Sequence, residues 1–383
     1  SDGRYTLQMA NQSDPAVWST HTLPEASLAS WLTEAGADGR RIGVDPSLVT
    51  VAGYKRLEKA CRQAGATLLA QSENPIDAVW GTGRPQRGAA RPFRMPDRVA
   101  GQTMAEKLAV LDKKLADSGA DAVVISRVDA VNWLVNIRGN DLANTPVNLV
   151  FALYHRENGL LILGDVASLA PVMEGDLANE AAIVALEQFD ALIDPRAGYG
   201  EGAVIQFEPA SLPQALYAPL AACGAKLVEA ACPVTVMKAQ KNSAECAGTR
   251  RAHIEDGAVM VRFLHWLSVG GGNGMAESDI AAHLLSLRKA SPHFIASSFD
   301  TICGSGPNGA IVHYRAIAGQ DSVLQTDSLL LVDSGAHYND GTTDITRTVA
   351  LRTPDAPMRR DLTEVLSAHL AVALALPTVR QQD

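Results

Sequence analysis

Two aspartates, Asp333 and Asp344, are the residues of this sequence best placed to do chemistry. They lie in the stretch LLLVDSGAHYNDGTTDITRTVAL at 329–351. The apolar run Leu329 to Val332 and the β-branched run Thr342 to Val349 have strand composition, and Asn339-Asp340-Gly341 between them supplies turn chemistry. If the strands pair symmetrically about that turn, the two carboxylates face one another with Cβ atoms about 4.5–5.5 Å apart. Like charges at that range repel. A buried pair resolves the repulsion by holding a proton, by gaining a cationic side chain, or by sharing a hard divalent metal that prefers oxygen ligands. The metal explains most, although the spacing alone also fits two solvated hairpin carboxylates.

The elements that must hold this pair are legible at low resolution. With 383 residues and 47% hydrophobic content the chain can bury several cores, and its length suits two or three domains. The segments 41–70 and 203–230 read as weak copies of each other, each a strand, an acidic-Pro turn, a helix and a strand, which suggests two duplicated α/β domains. TGRPQRGAARPFRMP at 82–96 has linker composition. After it, Met104, Leu108, Leu111 and Leu115 share one helical stripe and DAVVIS reads as a buried strand. Asn242 and Glu245 form a capping box that opens a third domain, whose first helix should bury Ile254, Ala258, Val261 and Leu264 or His265. Expected boundaries are 1–95, 96–236 and 237–383. GGGNG at 270–274 reads as a loop between helices and not a phosphate cradle. Arg250-Arg251 and Lys238 to Lys241 read as a solvated basic face, and Trp31, Trp80, Trp133 and Trp266 as core or interface aromatics.

Charge and cysteines narrow the class. A formal net charge of −9 and a pI near 5.5 argue against nucleic acid or an anionic membrane as partner. Five scattered cysteines show neither zinc-site nor disulfide spacing, so reduced thiols and a cytoplasmic setting are expected. No run of about 18 apolar residues is present to span a bilayer, and the first residues lack the pattern of a secretory signal.

The motifs around the aspartates go further. GPNGAIVHY at 306–314 followed by VDSGAHYNDGTTDITRT resembles the pita-bread metallopeptidases, specifically aminopeptidase P. KNSAECAGTRRAH at 241–253 resembles that family's entry into the catalytic domain, WLVNIRGNDLANTP at 133–146 its middle domain, and DGRY at 2–5 its first. The resemblance covers essentially the whole chain. It implies an α/β (α+β) fold: two related creatinase-N-like α/β domains followed by the first half of a pita-bread catalytic domain.

Function follows from the same resemblance. It implies hydrolysis of the N-terminal Xaa-Pro bond by a hydroxide activated by two divalent metals, with Mn²⁺ the usual ion and proline-containing peptides the substrates. In this family two hairpin aspartates, a later histidine and two later glutamates hold the metals. Asp333 matches the aspartate that chelates one metal and Asp344 the one that bridges both. Thr346 matches a hydroxyl beside the cluster, and His313 a histidine that contacts substrate. After Asp344 only Glu364 and His369 remain, on an expected helix, so the resemblance implies a piece of an aminopeptidase P. That piece would lack part of the first domain and the later ligands, would be inactive alone, and would form a homodimer or need a complementary C-terminal fragment. A prolidase on the same fold and a non-catalytic pita-bread binding protein are the alternatives. The duplicated front domains weigh against the first, and retention of Asp333, Asp344 and His313 against the second.

Overall fold

A computed structural model describes residues 1–23, 28–71, 73–84, 92–193, 202–325 and 327–375. The chain divides into two compact units: Ser1–Gly3, Pro15–His253 and His337–Thr342 form one, and Arg4–Asp14, Ile254–Ala336 and Thr343–Asp383 the other.

The first unit is built on a six-stranded mixed sheet in the order Lys226–Glu229, Val204–Phe207, Ala122–Ile125, Phe151–His155, Gly159–Leu163, Ala181–Val184. Strand Ala122–Ile125 is buried along its whole length. Because successive side chains point to opposite faces, Val123 and Ile125 enter one core with Leu111, Leu115 and Trp133, while Ala122 and Val124 enter another with Leu153, Phe189 and Phe207. Helix Met104–Ser118 begins with the reciprocal capping box of Thr103 and Glu106 and buries Met104, Leu111 and Leu115. The position between them is taken by a lysine, Lys107, which is 1% exposed. Its ammonium donates to the carbonyl of Trp133 at 2.7 Å and to Asn136 Oδ1 at 2.6 Å, and lies 4.0 Å from the centroid of the Trp133 ring.

The two segments that read as copies both form strand, helix and parallel strand. Arg41–Val44 pairs with Thr67–Ala70 around helix Val51–Gln63, and Val204–Phe207 pairs with Lys226–Glu229 around helix Gln214–Ala222. The Pro- and Arg-rich stretch expected to link domains lies in part, at 85–91, outside the described residues. Lys238, assigned above to a solvated face, donates instead to Asp129 at 2.7 Å. Of the tryptophans, Trp133 is buried, whereas Trp31 and Trp80 are about half exposed, at 52% and 50%.

In the second unit a three-stranded antiparallel sheet runs Ile302–Ser305, Leu329–Ser334, Ile345–Ala350. Its central strand alternates strictly: Leu330, Val332 and Ser334 are buried, and Leu329, Leu331 and Asp333 face the other side, partly exposed. The buried face packs with Val259, Met260, Phe263, Leu267, Ile280 and Leu284. These come from helices Ser243–Ser268 and Glu277–Lys289, joined by the GGGNG loop. The expected stripe on the first helix is corrected here. Ile254 and Val261 are 75% and 67% exposed, and the buried line runs through Asp256, Val259, Met260, Phe263 and Leu267. An apolar count passed over it because one member is an aspartate, buried because Arg288 and Thr343 satisfy it. The box of Asn242 and Glu245 forms as expected, each backbone N–H donating to the other's side chain at 3.0 and 2.9 Å. Helix Ala356–Ala375 has no buried residue among those described.

Candidate active site

The hairpin forms, but in a register two residues away from the symmetrical one. Asp333 pairs with Thr346 and Ser334 with Ile345, so Asp344 is a diagonal neighbour of Asp333 and not its direct partner. Thr346 uses the direct position to donate from Oγ1 to Asp333 Oδ1 at 2.8 Å. The ladder stops at Ser334 and Ile345 and resumes at His337 and Thr342, which leaves Thr343 and Asp344 outside regular strand. Asp344 lines the same cavity as Asp333, with the two carboxyls close enough for a shared hydrogen bond. Gly335 lies in the gap because any Cβ there would collide with Thr343 O and Ser298 Oγ.

The pair is not the buried one anticipated: Asp333 is half-buried and Asp344 exposed. Even so, partial loss of hydration, then the charge of Asp333 and the shared hydrogen bond, hold the Asp344 carboxyl above the usual carboxylate range. Two hard oxygen donors in contact, one unwilling to ionise, suit a divalent cation that would neutralise both. The residues present therefore fit a metal. Among the described residues no group of three or more His, Cys, Asp or Glu side chains is placed to hold one. Glu364 and His369 sit exposed on helix Ala356–Ala375.

His313 lies in the same cavity, of about 550 Å³, together with Tyr5, Phe299, Asp300, Arg315 and both aspartates. It is carried by the irregular turn after the 3-10 segment Gly306–Ala310. Its Nδ1 is 2.8 Å from the Tyr5 hydroxyl, and the two rings meet edge to face at 5.1 Å. What fixes the turn is Glu277, wholly buried at the start of its helix. Its carboxylate accepts from Ser305 N at 2.6 Å, Asn308 Nδ2 at 3.0 Å, the Tyr314 hydroxyl at 2.6 Å and Ser322 N at 3.1 Å. Desolvation, reinforced by Glu277, pushes the Tyr314 phenol well up, so it stays a donor. Tyr5 and Glu277 escaped the sequence reading. Glu277 carried a signal: it shares a helical face with Ile280, Leu284 and Arg288, so a polar residue on an apolar stripe marked a partnered one.

The sequence matches two separate profiles of creatinase/prolidase N-terminal domains, one at residues 1–79 and the other at 83–245, and that of metallopeptidase family M24 at 247–383. Creatinase/prolidase N-terminal domains followed by an M24 metallopeptidase domain are thus what the chain matches, with the mixed α/β fold those domains imply. The likeness to individual proteins is to Xaa-Pro aminopeptidases. A probable Xaa-Pro aminopeptidase P of Arthroderma gypseum is 33% identical over 98% of this chain and 60% of its own length, and one of Neosartorya fischeri is 33% identical over 98% and 59%. The chain thus spans about three fifths of the curated relatives it matches. The X-prolyl aminopeptidase of Caenorhabditis elegans, described as a cytosolic enzyme with a di-nuclear active site, superimposes with a TM-score of 0.83 at 27% identity, covering 93% of this chain and 59% of its own. A Xaa-Pro dipeptidase of Bacillus anthracis shares the fold, with a TM-score of 0.55 at 20% identity, over 70% of this chain and 71% of its own. Among the described residues no helix is long and apolar enough to cross a membrane.

Proposed function

We propose that the complete protein is a cytoplasmic metalloaminopeptidase that hydrolyses the bond before proline in peptides beginning Xaa-Pro. The observation that carries this reading is the meeting of Asp333 and Asp344 in one cavity with His313. Asp333 and Asp344 hold divalent cations, Mn²⁺ first, Thr346 fixes the Asp333 oxygen that it touches, and His313 contacts the peptide. Two such cations supply Lewis acidity, and a nucleophile drawn from water at neutral pH. The chain's own residues do the rest: Tyr5 and the Glu277-anchored turn orient the imidazole, and Phe299 presents an apolar wall to the substrate. The duplicated strand-helix-strand segments favour an aminopeptidase over a dipeptidase of the prolidase type, and support domains at 1–95, 96–236 and 237–383.

The polypeptide Ser1–Asp383 by itself contributes two of the five metal-holding side chains that the resemblance calls for. It is proposed to be inactive alone, its expected partners being a second copy of the chain or a complementary C-terminal fragment, of which only the fragment would supply the remaining ligands. The test is metal analysis and Xaa-Pro peptide hydrolysis by the complete protein, with Asp344→Asn as control. A fully active Asp344→Asn enzyme would overturn the assignment, and turnover by purified 1–383 with Mn²⁺ alone would overturn the requirement for further ligands.

A further inference from the structure

The second unit contains a buried ion pair that no step of the proposed chemistry uses. Arg288 and Asp256, 1% and 0% exposed, face each other across two helices, with Nε to Oδ1 at 2.7 Å and Nη2 to Oδ2 at 3.0 Å. A buried pair is no more stabilising than well-packed apolar residues of the same volume, so its presence calls for a role other than cohesion. The third member supplies one. Thr343, itself wholly buried, donates its hydroxyl to Asp256 Oδ2 at 2.6 Å. An apolar core could not offer that acceptor.

We propose that Thr343, gripped by the Asp256–Arg288 pair, is a positioning residue for Asp344; the proposal rests on the metal-holding role given to Asp344 above. Every polar group of Thr343 is committed. Besides the bond to Asp256, its Oγ1 accepts from Ala336 N at 3.1 Å, its N–H donates to Ala336 O at 2.9 Å, and its carbonyl accepts from Ser298 Oγ at 3.0 Å. This single residue bridges the break in the strand ladder, and the next residue is the carboxylate that must stay beside Asp333 against their mutual repulsion. The arginine orients the aspartate, the aspartate orients the hydroxyl, and the hydroxyl fixes the backbone from which Asp344 projects.

The test needs no metal and no catalysis. Residue-resolved amide hydrogen exchange is measured on the chain Ser1–Asp383 as wild type, Thr343→Val, Thr343→Ser and Ser298→Ala. Thr343→Val, which keeps the shape and removes the hydroxyl, should speed exchange at Thr343 and Ile345 about tenfold, as expected for one lost hydrogen bond. Leu330 and Val332 on the neighbouring strand should be unchanged. Thr343→Ser should restore the wild-type rates, and Ser298→Ala should give a smaller acceleration at the same amides. Uniform acceleration across the sheet, no acceleration, or failure of serine to rescue would overturn the proposal. If Thr343→Val does not fold, Ser298→Ala decides the matter by the same localised pattern. A negative peptidase assay on the complete protein would sink the functional reading without touching this result, so the two failures are told apart.

Discussion

Lys107 in the first unit and Arg288 in the second are cations of similar length and equal burial, each 1% exposed, yet the chain treats them in opposite ways. Arg288 meets a carboxylate through two parallel hydrogen bonds. Lys107 meets a carbonyl, an amide oxygen and an indole face. Dipoles and a ring quadrupole compensate a lost hydration shell less completely than a full negative charge does. Desolvation, then the nearby charge of Arg138, bring the Lys107 pKa down to about 8, against the smaller opposing pulls of Glu245 and Asp97. A guanidinium cannot be deprotonated under such conditions. The difference teaches that equal burial can be met by a full opposite charge or by dipoles alone, and that where only dipoles answer, as in the sheet unit, burial loosens the proton.

The comparison breaks most severely at Asp256. Replacement by alanine strands the Arg288 charge in the core and should lower stability by about 3–5 kcal/mol, read from urea midpoints at constant m. A loss below about 1 kcal/mol would show that water reaches the arginine and that its burial is not effective.

The pH dependence sharpens the other half. Below about 8 the folded and unfolded states both hold the Lys107 proton, and the native state bears the whole desolvation penalty. Above that pH the native state releases the proton while the unfolded chain keeps it to about 10.4, so stability should rise across this window by up to about 3 kcal/mol. Comparing the pH profile of Lys107→Met with that of wild type isolates the effect; parallel profiles between pH 8 and 10 would show that the lysine stays charged. The smallest effect concerns Asp344. Its pKa is raised in the native state, so its ionisation weakens folding as pH climbs past the ordinary value of 3.8. Metal-free Asp344→Asn should therefore be slightly more stable than wild type at pH 7 and indistinguishable from it at pH 3. Solvent screening of this exposed residue keeps the gain to a fraction of a kcal/mol. Equal midpoints at both pH values would mean that the two carboxyls do not interact.

How much of this was legible beforehand depended on what each residue's neighbours in sequence could reveal. Helix Met104–Ser118, strand Ala122–Ile125 and the Asn242–Glu245 box were readable because their signals are local: a period of 3.6, an unbroken apolar run, a reciprocal cap. The hairpin strands were readable for the same reason, but their register was not. The turn residues permit more than one offset, and the break at Gly335 is imposed by Thr343, whose partner lies in a distant helix. The buried face of helix Ser243–Ser268 was misplaced because Asp256 counts as polar until Arg288 and Thr343 are brought to it from 32 and 87 residues away. Tyr5 was invisible as a site residue, its bond to His313 spanning 308 positions.

One carboxylate carries a consequence for how this architecture can be altered. Glu277 gathers donors from Ser305, Asn308, Tyr314 and Ser322, four points spread along the segment that carries His313. The segment is thus not a removable module. Transplanting it into another scaffold, or recombining it with a homologous sequence, keeps the imidazole in place only if the recipient helix offers an acid at the matching spot, because otherwise several donors would be orphaned at once.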